Sequence, residues 1–72
     1  MQIINSKTEE LMNSSIYWQK HSHNERYFYA YSDKELLLLR LNNFPDEPLI
    51  TFIKDLVIID LEEIPKNWIV PF

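Results

Sequence analysis

The most regular feature of the chain is an apolar run over residues 35–42, which contains four consecutive leucines, an arginine and a fifth leucine. The turn-forming segment Ser32-Asp33-Lys34 precedes this run, and residues 42–48, which include two prolines, follow it. A short apolar run between turn-forming segments is typical of a strand that is buried on both faces. We therefore predict that residues 35–42 form the central strand of a small sheet.

Strict alternation of residue types predicts the strand that pairs with this run. In residues 26–31, Phe28 and Ala30 point to one side of the strand and three tyrosines point to the other. A two-residue turn at 33–34 defines the register of the hairpin. The pairs that it predicts are Tyr31 with Leu36, Tyr29 with Leu38 and Tyr27 with Arg40. One face of the hairpin then carries phenylalanine, alanine and leucine, and the other carries tyrosine, leucine and arginine.

A helix and an extended segment are predicted before this hairpin. Residues 6–9 have the pattern of a capping box, in which Ser6 is the N-cap. The helix is expected to end near residues 13–15, because all three favour caps and turns; a longer helix that reaches Gln19 is the alternative. Residues 16–21 are mainly β-branched and aromatic at their start, which predicts a strand.

A second hairpin and a docked tail are predicted after the first hairpin. Residues 49–53 and 56–60 are apolar runs, and Lys54-Asp55 between them is the predicted turn. The tail contains Trp68, Ile69 and Phe72, which are too apolar to remain in solvent, so the tail is expected to dock on the sheet.

Together these elements predict a single α+β domain over residues 1–72. It consists of a short N-terminal helix, an antiparallel β-meander of four or five strands and a docked C-terminal turn. The face that carries Phe28, Ala30 and the alternate leucines is expected to hold the core. Either the amphipathic helix or the tail is expected to cover that face.

Composition limits the setting in which such a small domain works. A chain of 72 residues buries only roughly 60% of its unfolded surface, and without cysteine it has no disulfide to add stability. No apolar run approaches the ~20 residues of a membrane span. Residues 1–5 lack a basic region followed by an apolar one, so no signal peptide is expected. We expect a cytoplasmic protein with no membrane association.

The charge of the chain is uneven. Acids and bases balance over residues 1–43, whereas residues 44–63 hold six acids and only Lys54 as a base. The net charge of the whole chain, -4, therefore comes from its second half. Binding to nucleic acid needs a basic surface, so nucleic acid is not expected as a partner. An acidic half permits steering toward a basic protein partner; the alternative is simply a soluble acidic surface.

The absence of glycine excludes several kinds of site. Phosphate-binding loops, dinucleotide-binding turns and nucleophile elbows all need glycine. No catalytic set accompanies the adjacent acids Asp46/Glu47 and Glu62/Glu63, so we expect neither enzyme activity nor a cofactor.

The absence of glycine also affects the turns. Where the backbone needs a positive φ, asparagine or aspartate must adopt it. The candidates are Asn13, Asn24, Asp33, Asn42, Asn43 and Asp55.

An aromatic surface is the main candidate site. Tyrosine, tryptophan and arginine dominate the energetic centres of protein interfaces. The candidate partner-binding residues are Trp18, Tyr27, Tyr29, Tyr31 and Arg40. The alternative is that the tyrosines and leucines form a second, minor core beneath the tail.

Two further candidates are weaker in pattern. Ile53, Leu56 and Ile58 form a possible second apolar patch, unless Trp68 and Phe72 cover it. His21 and His23 would share one face of a strand and, with Glu25, form a possible metal site. Such a histidine pair is common by chance in an exposed loop, so no metal ligand is assigned.

The stretch Leu39-Arg40-Leu41-Asn42-Asn43-Phe44-Pro45-Asp46-Glu47-Pro48-Leu49, followed by Asp60 and by Pro65 and Trp68, resembles small uncharacterised bacterial proteins. The resemblance implies a bacterial, free-standing, single-domain protein. It implies no activity and no site residues.

The patterns together favour a non-catalytic, small acidic protein-interaction module, of the type of an immunity protein or an inhibitor, that binds a protein partner through an aromatic sheet face. One alternative is a self-associating, homodimeric structural module. Another is a small-ligand or metal-binding domain.

Overall fold

The computed structural model describes the backbone of residues 6–72 and the side chains from Thr8 onward. The prediction that the Ser6 side chain caps the helix therefore lies outside the described residues. So does the prediction that residues 1–5 belong to no signal peptide. In chain order the elements are α1 (Ser6–Asn13), β1 (Ile16–Tyr17), β2 (Gln19–Lys20), β3 (Tyr27–Ser32), β4 (Glu35–Leu41), β5 (Ile50–Lys54), β6 (Val57–Leu61) and β7 (Trp68–Ile69). The predicted class, a short helix followed by an antiparallel meander, is confirmed.

Strands β2 to β6 form one five-stranded sheet in chain order, and every neighbouring pair is antiparallel. The leucine-rich strand β4 lies at its centre, as predicted. The predicted register between β3 and β4 is confirmed, with the pairs Tyr31–Leu36, Tyr29–Leu38 and Tyr27–Arg40. Alternation and a two-residue turn are sufficient to predict the register of this hairpin, because both are local features of the sequence.

The turn between β3 and β4 shows how the chain manages without glycine. Asp33 and Lys34 have φ values of 52° and 67°, the sign pattern of a type I′ turn, which matches the twist of the strands it joins. Asp55 also has a positive φ, of 52°. Asp33 and Asp55 were expected, whereas Lys34 was not. The four asparagine candidates do not have positive φ.

We expect the substitution Lys34→Gly to stabilise the protein. A left-handed conformation costs a residue with a β-carbon roughly 1–2 kcal/mol, and the greater unfolded-state freedom of glycine offsets about 0.5–1 kcal/mol of that gain. Urea denaturation should therefore show a net gain of about 0.5–1 kcal/mol. The control is Lys20→Gly, at an exposed strand position, which should lose stability. A loss at both positions would contradict this account of the turn.

The second hairpin has a different turn from the predicted one. Lys54 pairs with Val57, so the turn residues are Asp55 and Leu56 rather than Lys54 and Asp55. The prediction of this turn is wrong because aspartate accepts the positive φ at its first position, while Lys54 remains in the strand and forms ion pairs with Glu35 and Asp55. The pairing moves by two residues, so each side chain stays on its predicted face.

The structure of residues 14–20 differs from the predicted one. The helix ends at Asn13, which excludes the longer helix. The predicted single strand over residues 16–21 is instead two short strands separated by Trp18. β1 pairs in parallel with β7, whereas β2 joins the main sheet. The Trp18 N–H donates to the Ile69 carbonyl at 2.9 Å, so the chain leaves the sheet to pair with the tail.

The core lies on one face of the sheet, which we call the inner face. Its buried residues from the sheet are Phe28, Ala30, Leu37, Leu39, Ile50, Phe52 and Ile59, as the alternation predicted. Both the helix and the tail cover this face, since Leu11, Ile16, Trp18 and Trp68 complete the same cluster. The tail holds the helix as well: Trp68 Nε1 donates to the Leu11 carbonyl at 2.9 Å.

Candidate interaction face

None of the elements that the structure describes covers the opposite face of the sheet. We call it the outer face and define it by the side chains that alternate with those of the core. These are Tyr27, Tyr29, Tyr31, Leu36, Leu38, Arg40, Thr51, Ile53, Ile58 and Asp60. The helix and the tail pack on the inner face, so neither of them covers the outer face.

An apolar row crosses the centre of the outer face. Tyr29 pairs with Leu38, Leu38 pairs with Ile53, and Ile53 pairs with Ile58. Each pair is directly opposite across neighbouring strands, where side chains are in contact range. Gln19 extends the row at the β2 edge, where the Tyr29 hydroxyl donates to its Oε1 at 3.2 Å. The tyrosine surface and the second apolar patch, predicted separately, are therefore one continuous surface.

The exposure of the large side chains shows that this surface reaches solvent. Tyr31 is 67% exposed, Leu36 is 47% exposed and Ile58 is 62% exposed. The other three side chains of the central row, Tyr29, Leu38 and Ile53, are half-buried. The rings of Tyr29 and Tyr31 are 6.3 Å apart in an edge-to-face arrangement. A contiguous apolar patch of this kind is typical of an interaction site.

One end of the outer face is polar and ordered by a chain of hydrogen bonds. Arg40 Nη1 donates to Asn42 Oδ1 at 3.1 Å, and Asn42 Nδ2 donates to the Thr51 hydroxyl at 2.7 Å. The Thr51 hydroxyl donates in turn to Asp60 Oδ1 at 2.7 Å. Arg40 is half-buried, so its guanidinium is held in a defined position at the end of the face.

The other end of the sheet carries an ion-pair cluster. Lys54 Nζ contacts Glu35 and lies 3.1 Å from Asp55 Oδ2. Hydrogen bonds to Glu35 and then to Asp55 raise the pKa of Lys54 above its ordinary value. The lone base of the acidic half of the chain is therefore already paired with acids of the same protein. Its positive charge is not available to balance the remaining acids of residues 44–63.

Two expectations about this surface are corrected. Trp18 does not share it: the side chain is 4% exposed and its ring lies 6.2 Å from that of Phe52, in the core. It is buried because the chain turns inward at this residue to pair with the tail. The alternative, a minor core of tyrosines and leucines beneath the tail, is also wrong. Trp68 and Phe72 contact Phe52 and Phe28 on the inner face, and they leave the hairpin patch uncovered.

The histidine pair lies beside the outer face. The two imidazole rings are 6.1 Å apart, and the His23 backbone N–H donates to His21 Nδ1 at 3.1 Å. Within residues 6–72, no three acidic or histidine side chains come together in a way that could hold a metal ion. The ring of His21 instead lines a shallow hollow with Asn24, Tyr27 and Leu38.

Sequence reasoning did not show that leucine and isoleucine side chains join the tyrosines to the second hairpin. Alternation placed Leu36, Leu38 and Ile53 on their correct faces. What it did not supply was the pairing of β4 with β5, because residues 42–48 separate these strands and contain no turn of defined length. The pair Leu38–Ile53 is the contact that makes two patches into one.

Comparison with known proteins finds no matching family model, curated protein or solved structure. In the described part of the chain, the helix has eight residues, and nothing there is long and apolar enough to cross a membrane as a helix. The fold and the outer face define a small α+β protein in which one sheet face is covered by neither the helix nor the tail.

Proposed function

We propose that this protein is a non-catalytic interaction module that binds a protein partner through its outer face. The observation that carries the proposal is the continuous row from Tyr29 to Ile58, which is flanked by exposed Tyr31 and Leu36. Protein interfaces concentrate their binding energy in aromatic and apolar side chains at the centre of a patch, with polar groups at the rim. The outer face has this arrangement, since the hydrogen-bonded chain of Arg40 and Asp60 lies at its end.

The charge of the protein supports a basic partner. Residues 44–63 hold six acids, and their one base, Lys54, is paired with acids of this chain. A negative field of this kind accelerates the encounter with a positively charged surface and is screened by salt. The proposed partner therefore has an apolar centre and a basic rim. The lack of cysteine supports a reducing, cytoplasmic setting for this encounter.

The test compares two tyrosines that differ in position but are similarly exposed. Tyr31 lies on the outer face and is 67% exposed; Tyr17 lies on β1, outside the main sheet, and is 73% exposed. We expect Tyr31→Ser to weaken partner binding about 30-fold, as loss of an interface side chain worth about 2 kcal/mol does. Tyr17→Ser should leave it unchanged. Immobilised wild type, Y31S and Y17S are used to capture partners from a lysate of the native host, and affinities are then measured by titration.

Thermal denaturation of both variants serves as the control, because equal midpoints exclude a loss of folding as the cause. Capture that is lost only with Y31S, and that declines as salt increases, supports the proposal. Equal capture by Y31S and Y17S would refute a role of the outer face.

Self-association through the same face is a second candidate function. The exposure of Leu36 and Ile58 favours it, because such side chains gain most from a matching apolar surface. The net charge of -4 on each copy opposes it. Sedimentation equilibrium at low and high salt distinguishes the two candidates: a dimer that strengthens with salt supports self-association, and a monomer at high concentration removes it.

A further inference from the structure

We propose that the free edge of β6 binds an extended segment of a partner protein that alternates apolar and basic residues, and that this segment adds a sixth strand to the sheet. The inference rests on the proposed function for the existence of a protein partner. It adds the way in which that partner is held, through the backbone of one strand, and the chemistry of the segment that fits there.

The hydrogen-bond pattern of the sheet identifies which backbone groups face which neighbour. In an antiparallel sheet, the N–H and C=O groups of successive residues point to opposite sides of the strand. The Asn42 N–H donates to the Leu49 carbonyl at 3.0 Å, so the backbone groups of Leu49 point toward the β4 side of the sheet. Because the direction alternates along the strand, the backbone groups of Thr51 also point toward β4, whereas those of Phe52 point toward β6.

The same alternation continues into β6. Ile59 is the partner of Phe52, so its backbone groups face β5. The N–H and C=O groups of Ile58 and Asp60 therefore point away from the sheet. β6 is the last strand in the sheet order, and within the described residues no backbone hydrogen bond from another element reaches these groups. They form a short row of free donors and acceptors at the strand edge.

The edge of β6 lacks most of the features that usually prevent strand addition. Natural edge strands are protected by proline, charged side chains (lysine above all), bulges or extreme shortness. Val57–Leu61 contains neither proline nor lysine, and its pairing with β5 runs without a bulge. Its one charged side chain is Asp60, which repels an acidic segment and attracts a basic one. By contrast, the opposite edge strand, Gln19–Lys20, has only two residues and carries a lysine. The edge of β6 is therefore the one at which a partner strand fits.

The side chains around this edge determine the chemistry of the added strand. Residues 55–63 contain four acids and no base; these acids, all exposed, are Asp55, Asp60, Glu62 and Glu63. Basic side chains of the segment complement them. The basic residues of the segment lie on the outer face, beside Asp60, and its apolar residues lie on the inner face, beside half-buried Val57 and Leu61. A second copy of β6 would instead bring two sets of these acids together, which opposes self-pairing.

Amide hydrogen exchange on the wild-type protein tests this inference directly. The probe is a short synthetic peptide that alternates lysine with valine or isoleucine, and the control replaces each lysine with glutamate. In the free protein we expect the Ile58 and Asp60 amides to exchange quickly and the Ile59 amide slowly. The lysine peptide should slow exchange at Ile58 and Asp60 by at least about tenfold, while Ile59 changes little. The glutamate peptide should slow neither.

Two variants separate the backbone of the edge from its side chain. Ile58→Pro removes the outward N–H without removing a bond to β5, since proline is tolerated at such edge positions. Ile58→Ser keeps that N–H and removes only the apolar side chain. We expect I58P to lose at least about tenfold more affinity for the lysine peptide than I58S does. If I58P does not fold, the exchange measurement on the wild type decides the question by itself.

Other results would overturn the inference. Absence of protection, or equal protection by both peptides, refutes strand addition by a basic segment. Protection of Ile58 and Asp60 that rises with protein concentration alone identifies a second copy as the occupant instead. Failure of the proposed function can be distinguished from failure of this inference, because the proposed function is tested by partner capture with Y31S and not by amide exchange. If Y31S loses the partner and the peptide protects no edge amide, binding through the outer face stands and strand addition falls.

Discussion

Replacing Leu39 with alanine is expected to lower the free energy of unfolding by about 2–5 kcal/mol, the range for a large core side chain that leaves a cavity. Leu39 is 0% exposed and lies on the central strand, between Phe28 on β3 and Phe52 on β5. For a chain of 72 residues, typical stability is about 4–11 kcal/mol. The loss would therefore remove a large share of the total. Urea denaturation followed by far-UV circular dichroism measures it.

The same strand provides the matched control. Leu36 carries the same side chain on the outer face and is 47% exposed, so Leu36→Ala should cost less than about 1 kcal/mol. Tyr29→Ala, on the half-buried central row, should also cost clearly less than L39A. Equal losses for L39A and L36A would mean that both faces of the sheet are buried, and the outer face would then not be available to a partner.

Replacing Trp68 with alanine is expected to have an effect of similar or greater size, about 3–5 kcal/mol. Its ring lies 5.1 Å from Trp18 and 5.4 Å from Phe52. Its Nε1 also donates to the Leu11 carbonyl at 2.9 Å, so the substitution loosens the helix as well as the tail. The measurement is again urea denaturation, and the control is Ile69→Ala on the same strand, which is 56% exposed and should change little.

The two tryptophans allow the hydrogen bond to be separated from the packing. Both are 4% exposed, but Trp18 Nε1 has no hydrogen-bond partner among the described residues. Trp68→Phe leaves the buried Leu11 carbonyl without this donor and should cost about 1–3 kcal/mol more than Trp18→Phe. If the two substitutions cost the same, the tail holds the helix by packing alone, and the bond to Leu11 contributes no net stability.

The hairpin of β3 and β4 was predictable because its determinants are local. Phe28 and Ala30 alternate with the tyrosines, and Asp33 accepts the left-handed conformation that a two-residue turn requires. Once the turn length is set, a shift of one residue would move every leucine of the core to the wrong face. Pattern and turn therefore specify the same register.

The candidate site was predictable only in part. The three tyrosines and Arg40 lie on the outer face, as their alternation indicated. Trp18 does not, because its position depends on the Ile69 carbonyl and on Trp68, residues of the distant tail. The turn at Asp55-Leu56 was missed by one residue, since neither dipeptide contains the glycine or asparagine that marks such a turn strongly.

By itself, the sequence determined strands β3 to β6, the faces of their side chains and the acidic character of the second half of the chain. These follow from periodicity, turn chemistry and charge, which operate over short distances along the chain. Only the tertiary structure decided that the helix and the tail share the inner face. The reason is that the tail reaches the helix through Trp68 and Leu11, 57 positions apart, and the gain from burying two tryptophans against Phe52 depends on long-range packing that no local pattern encodes. As a result, neither the helix nor the tail covers the outer face.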